Sequence, residues 1–275
     1  MKTIVVAGGN SGIGLQVVQD LFVKGHKVIL LGRDSEKGKN ALASLSGRQD
    51  NDDRAVFLSV DLSTHDGVRE TAKKVLEITD SINCVVHASG VFIQEEMRTV
   101  DGLHPFFAVN YLSRYHLTQL LLPALRKSQD GRVIMLTADI NPSATVDLSQ
   151  FPQFKPFNLW TMRIPIQVAN HHYAAHLARS EPGILACVMN AGMVKTDILR
   201  SMPTYVRVFA AIFAPLFFNT LEQSAHNVVE ACVRDDWPNA SYWSKPGDFE
   251  KRVAIVVDED TTRELLQISK NITGA

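Results

Sequence analysis

The stretch Val6-Ala7-Gly8-Gly9-Asn10-Ser11-Gly12-Ile13-Gly14 (VAGGNSGIG) decides the fold. It follows a short apolar run, Thr3 to Ala7, and leads into Gly12 to Lys24, whose apolar spacing predicts an amphipathic helix. Glycine lets a backbone turn tightly and approach a bound group, and the first turn of a helix carries unpaired N–H groups and a partial positive charge. Gly8, Gly12 and Gly14, with Asn10, Ser11 and Ile13 among them, therefore read as a cradle for a pyrophosphate at the start of a βαβ unit. A glycine pattern alone also fits a plain tight turn. The strand before it and the helix after it make the binding reading the sharper one.

Working outward, apolar β-branched runs recur at Lys27 to Leu31, Ala55 to Val60, Asn83 to His87, Arg132 to Thr137 and Gly183 to Met189. Between them lie helical patterns at Ser35 to Leu45, His65 to Ile78, Leu103 to Arg126 and Pro165 to Ala178. Strict alternation predicts an α/β fold of the doubly wound Rossmann type, a parallel sheet flanked by helices on both faces. With 275 residues and 45% hydrophobic content the chain can bury one large core, and no repeat or linker divides it, so a single domain over 1–275 is expected.

Twenty-eight Lys and Arg against 29 Asp and Glu leave a formal charge of -1, which gives nucleic acid no field to bind. Cys84, Cys187 and Cys232 have neither disulfide-frame nor zinc spacing, no His/Cys/Asp/Glu cluster suggests a metal, and the cysteines read as buried thiols. The apolar run from Met1 to Ala7 is too short for a signal peptide, so a cytoplasmic location is expected. Tyr205 to Phe218 is too short, and too interrupted by Arg207 and Pro215, to span a bilayer, which leaves peripheral membrane contact through 205–218 as an alternative.

Two further stations concern cofactor choice. Arg33, after the second predicted strand, can meet the 2′-phosphate of NADP, although Asp34 one residue on could hold the ribose hydroxyls of NAD instead. Asp61-Leu62, after the third, offers a carboxylate for an adenine amino group, or equally a cap for the helix near His65.

The ordered set GGNSGIG, LGRD, DLS, HASG (His87 to Gly90), TVDGLHPFFAVNYLSRYHLT (Thr99 to Thr118), GRVIMLT (Gly131 to Thr137) and NAGMVKTDI (Asn190 to Ile198) resembles the short-chain dehydrogenase/reductase superfamily, in its retinol dehydrogenase and protochlorophyllide reductase branch. The resemblance runs nearly end to end. It implies that His87, Ser89, Gly90 and Thr196 border an NADP(H) cofactor, that Asn110 is the Asn of the catalytic tetrad, and that Thr137-Ala138 stands for the family's Ser-Ser, with Thr137 the remaining hydroxyl. The family's Tyr and Lys fall at Arg163 and Gln167, or at Thr161 and Pro165 in an ungapped register. Neither register keeps them: no Tyr lies between Tyr115 and Tyr173, and no Lys between Lys155 and Lys195.

A ketoreductase of this family needs a phenol acidified by a neighbouring ammonium, whereas Arg keeps its proton above a pKa of about 12. Arg163 could still stabilise an oxyanion while water, Asp139 or Asp147 handles the proton, and Gln167 could bind the nicotinamide ribose. The expected function is therefore an NADP(H)-dependent reduction of an imine, enone or ketone on a bulky apolar metabolite. The alternatives are a non-redox isomerase or cyclase on the same scaffold, and a non-catalytic NADP(H)-binding protein. A substrate lid is expected over 196–222, its apolar residues equally suited to packing or to a subunit interface, and a homodimer is weakly favoured. Trp160 is assigned to the pocket wall or to plain packing. His104, His171 and His172 read as structural, and 141–159 is an insertion-like stretch that could hold catalytic groups of its own.

Overall fold

The computed structural model describes residues 1–45, 47, 52–141, 144–194 and 218–275. At the centre of its sheet lies β1 (Thr3–Ala7), whose Ile4, Val5, Val6 and Ala7 are all fully buried because both sheet faces are covered. Val5 and Ala7 face one helical layer, Ile4 and Val6 the other.

Around β1 the strand order is β3 (Ala55–Ser59), β2 (Lys27–Gly32), β1, β4 (Cys84–His87), β5 (Gly131–Thr137), β6 (Ile184–Asn190), β7 (Ser241–Trp243) and β8 (Val253–Ala254). Neighbours pair in parallel except β7 and β8. The chain runs outward from β1 to β3 and then returns to β4, so the winding direction reverses between β1 and β4. A crevice opens at such a switch, at the carboxyl ends of the strands. Here Ala7 pairs with His87, which sets the glycine turn beside the segment Ala88 to Gly90.

One layer holds α1 (Gly12–Val23), α2 (Ser35–Ala43) and α7 (Leu221–Val233). The other holds α3 (His65–Ile78), α4 (Pro105–Phe107), α5 (Ser113–Lys127), α6 (Leu159–Ser180) and α8 (Glu259–Thr273). A π-turn over Ala108–Leu112 joins α4 to α5, so the predicted single helix is continuous but locally widened at Asn110.

Three features depart from the sequence reading. Helix α6 begins at Leu159, six residues before the predicted Pro165, because the Asn158 carboxamide accepts from the N–H groups of Trp160 and Thr161 and starts the helix there. Pro165 then lies inside the helix. The last residues of the expected lid, Leu221 and Glu222, open α7, which Thr220 and Gln223 start with a reciprocal capping box. β7 and β8 have three and two residues, too few to carry a pattern. Thr196 and most of the expected lid, 195–217, lie outside the described residues.

The stretch from 144 to 158 is a packed strap. Phe151 and Phe154 each sit 5.5 Å, between ring centroids, from Phe107 of α4, and Phe157 stacks on His104 at 4.7 Å. Among the described residues no helix is long and apolar enough to cross a membrane.

Candidate functional site

The crevice floor begins with the glycine turn. A Cβ on Gly8 would come within 2.7 Å of Ser89 N, and one on Gly14 within 2.2 Å of Gly8 O, so both positions need glycine for two backbones to meet. Ser11 stands at the N-cap of α1 but makes no capping side-chain bond, whereas Asp34, Thr64, Asn158, Thr220 and Asp258 cap α2, α3, α6, α7 and α8. The first turn of α1, with Gly12, Ile13 and Gly14, is thus left with open N–H donors toward the crevice. Asn10 fills the space over Gly32, where a Cβ would meet its amide at 2.3 Å, and donates to Asp34 O at 3.2 Å. Its amide braces the segment carrying Arg33 instead of reaching into the crevice.

Arg33 is exposed and forms no ion pair among the described residues. Asp34, the competing carboxylate, accepts from Lys37 N at 3.0 Å through Oδ1 as the cap of α2, which anchors it to the helix start. Asp61 is exposed and accepts from Ser63 N at 2.9 Å, while Thr64 caps α3; the capping alternative for Asp61 is corrected accordingly. Leu62 is half-buried beside it and lines a small cavity with His65, Leu103 and His116.

Beyond β4, His87 is buried, its Nε2 2.8 Å from Thr118 Oγ1. Burial, aided by the nearby Arg114 charge, pushes its pKa down to about 3, so the ring is a neutral strut between β4 and α5 and not the open ligand the sequence suggested. Ser89 has a buried hydroxyl with no partner, and Gly90 is exposed, with only Asn110 Oδ1 near a would-be Cβ, at 3.6 Å.

Asn110 sits in the π-turn with its amide clamped to Val91, accepting from Val91 N at 2.9 Å and donating to Val91 O at 3.0 Å. Its own carbonyl accepts from Asn170 Nδ2 at 3.2 Å. The side chain therefore holds the loop after β4, while the backbone carbonyl ties the π-turn to α6.

Thr137 ends β5. Val133 and Met135 face the layer of α5 and α6, so by alternation Thr137 does too, and its hydroxyl is buried without a partner. Gln167 on α6 is also buried, and its Oε1 is likewise unpartnered. Buried polar atoms are nearly always hydrogen-bonded, so the Ser89 and Thr137 hydroxyls and Gln167 Oε1, unpartnered among the described residues, could each take a bond from a bound group. Gln167 also lies one turn before Asn170, which is held by α5, in keeping with the register that pairs Arg163 with Gln167. Arg163 is exposed one turn toward the helix start, its guanidinium 5.4 Å from the centroid of Trp160. Trp160 is 61% exposed and meets Phe92 edge-on at 6.0 Å, so these two rings form a rim.

The expected acids differ. Asp139, two residues past Thr137, is exposed and accepts from the Tyr242 hydroxyl at 2.9 Å. Burial and that carboxylate raise the Tyr242 pKa, which keeps it a phenol. Asp147 accepts from Ser149 N, and that bond lowers its pKa, which makes it the poorer proton donor. His104 caps α4 through Nδ1, His172 Nδ1 lies 2.7 Å from Thr262 Oγ1, and His171 packs on Tyr242, all structural positions. Among the described residues no three His, Cys, Asp or Glu side chains group as a metal site.

Sequence reasoning missed Phe92, Tyr242 and Arg114. Nothing in the local pattern marks them; each joins the site through contacts distant in sequence.

Comparison with known proteins gives a consistent picture. A family model described as short chain dehydrogenase matches residues 2–145, just over half of the chain. A short-chain dehydrogenase/reductase of Armillaria gallica is 29% identical over 77% of this chain and 71% of its own length. Retinol dehydrogenase 14 of Mus musculus is 25% identical over 99% of this chain and 86% of its own. The structure of the Pseudomonas aeruginosa RhlG/NADP active-site complex superposes with a TM-score of 0.70 at 22% identity, covering 91% of this chain and 96% of that one.

Proposed function

The chain belongs to the short-chain dehydrogenase family, and we propose that it is an NADP(H)-dependent reductase whose proton chemistry dispenses with the usual tyrosine. One observation carries the reading: the uncapped first turn of α1 opens on the Gly8–Gly14 cradle while Arg33, exposed after β2, forms no ion pair among the described residues and Asp34 is tied to the start of α2 as its cap. The cradle suits a pyrophosphate, and Arg33 suits a 2′-phosphate. The unpartnered Ser89 hydroxyl and Gln167 carbonyl are groups that ribose or nicotinamide could satisfy, and the Thr137 hydroxyl is left for a substrate. The RhlG neighbour is described as an NADP complex, and this agrees with the assignment. Bound there, the dinucleotide would supply hydride-transfer chemistry.

The residues of the chain divide the remaining tasks. Arg163, exposed at the mouth and unable to give up its proton, is suited to stabilising negative charge on a substrate oxygen. Thr137 donates a hydrogen bond to that oxygen, and water delivers the proton, the Asp139 carboxylate being engaged by Tyr242. The apolar rim of Phe92 and Trp160 favours a bulky apolar imine, enone or ketone, in line with a retinol dehydrogenase among the relatives.

The test is a titration of the purified protein with NADPH and NADH, read by calorimetry. Micromolar binding that favours NADPH is expected, and Arg33→Ala should weaken NADPH by about tenfold, roughly 1.4 kcal/mol, while leaving NADH unmoved. Equal loss for both, or a wild-type preference for NADH, overturns the NADP assignment. A second reading, a non-redox isomerase or cyclase, is favoured by the neutral Gln167 where the family resemblance implies an ammonium. A product of unchanged mass, formed with no NADPH consumed, would select it.

A further inference from the structure

A second buried arginine sits beneath the crevice, and its surroundings differ from those of the first. Arg132 on β5 is fully buried but meets two carboxylates, Asp130 at 2.6 Å and Asp235, together with the carbonyls of Ala231 and Arg234. Arg114 on α5 is 3% exposed and meets no carboxylate among the described residues. Its guanidinium donates to Leu136 O at 2.7 Å, to Ser89 O at 3.0 Å and to Asn170 Oδ1 at 3.2 Å, and its Nε has no partner.

These three acceptors locate the charge. Leu136 precedes Thr137 at the carboxyl end of β5, Ser89 follows β4 beside the glycine turn, and Asn170 is the next turn of α6 after Gln167. Arg114 thus lies under the residues assigned above to the cofactor. Burial lowers its pKa to about 9, which leaves it cationic at neutral pH. Beside it His87 is neutral, and Arg163, the cation at the mouth, is exposed to water and screened. Asp139 is exposed to water and engaged by Tyr242, so it offers only screened compensation.

We propose that Arg114 is the charge by which this site discriminates between the two redox states of its cofactor, favouring the reduced form. The inference rests on the NADP(H) reading above. An oxidised nicotinamide ring carries a positive charge and a reduced one is neutral, while the rest of the dinucleotide is the same in both. A buried cation with no counter-ion therefore repels only the oxidised ring, and in a low-dielectric interior that repulsion is weakly screened. Arg114 lifts the dissociation constant for NADP⁺ relative to that for NADPH and biases the site toward reduction.

The experiment measures both dissociation constants by calorimetry at pH 7 for the wild type, Arg114→Lys, Arg114→Gln and Arg114→Met. The wild type should bind NADPH about tenfold more tightly than NADP⁺ or better, a difference of about 1.4 kcal/mol. Arg114→Lys should keep most of that ratio; Arg114→Gln and Arg114→Met should cut it by about tenfold. Arg114→Met leaves the carbonyls of Leu136 and Ser89 and Asn170 Oδ1 without that donor, so its fold is checked by a thermal melt, and Arg114→Gln, which keeps an amide donor, carries the test if the Met variant does not fold. A purely structural arginine would weaken both forms equally and leave the ratio unchanged, which overturns the proposal, as does a wild type that binds the two forms alike. Failure of the wild type to bind either form overturns the cofactor reading itself, and this inference with it.

Discussion

Thr137 shows how much one side chain can reveal. Its hydroxyl is buried at the end of β5 without a hydrogen bond, a cost of about 1–3 kcal/mol that folding alone gives no reason to bear. Thr137→Val keeps the shape and removes the orphan. It should raise stability by about 1 kcal/mol, measured by urea denaturation, and lower the rate with any carbonyl or iminium substrate found to consume NADPH. A loss of stability would mean that the hydroxyl is already satisfied within the fold. Asn110 makes the opposite point. Its amide makes one bond in each direction with Val91, so its place in the motif fixes the loop after β4.

At the scale of elements, the turn from β1 into α1 and the β4 loop are fitted backbone to backbone. Gly14→Ala would drive a methyl group to 2.2 Å from Gly8 O, and no flexible side chain is there to yield. Overpacking of that kind costs about 1–3 kcal/mol, and the expected result is lower stability with NADPH affinity reduced by more than about tenfold. Gly25→Ala is the control: φ is +85° but nothing lies near the new methyl, so it should cost about 1–2 kcal/mol of stability and leave NADPH binding intact. Loss of binding in the control, or retention in Gly14→Ala, would separate the turn from the cofactor. The same logic explains α6, whose start is set by the Asn158 cap and not by Pro165.

The whole molecule carries an acid liability spread over its buried imidazoles, His104 among them, and four of these are shifted furthest. Burial pushes His87 to about 3 and His116, His171 and His172 to about 4, with nearby cations or imidazoles adding to it at His87, His116 and His171. In the unfolded chain these rings protonate near pH 6.5, whereas in the fold they stay neutral down to about pH 4. Below pH 6.5 the unfolded state thus binds more protons, so stability must fall as pH falls, by up to about 1.4 kcal/mol per pH unit for each ring. The urea midpoint should be level between pH 8 and 7 and drop steeply from pH 6.5 to 5. A flat midpoint over that interval would show that the rings protonate within the fold. His171→Phe, replacing a ring with no hydrogen-bond partner among the described residues, should flatten the slope by one ring's share, up to about 1.4 kcal/mol per pH unit.

The alternation of apolar strands and amphipathic helices, with its glycine turn, was legible in the chain because period and turn chemistry are local. His65–Ile78 and Thr3–Ala7 coincide with their predicted bounds for that reason. Asp34 and Asp61 could not be assigned from sequence, since a carboxylate beside a helix start serves equally as cap or as ligand; only the backbone geometry made Asp34 a cap and moved that role from Asp61 to Thr64. His87 looked like an open ligand until the packing of α5 brought Thr118 to its ring. Arg114 was invisible as anything but a polar residue in a helix. Its burial without a counter-ion depends on β4, β5 and α6 converging on one point, which is a property of the tertiary structure and of no segment taken alone.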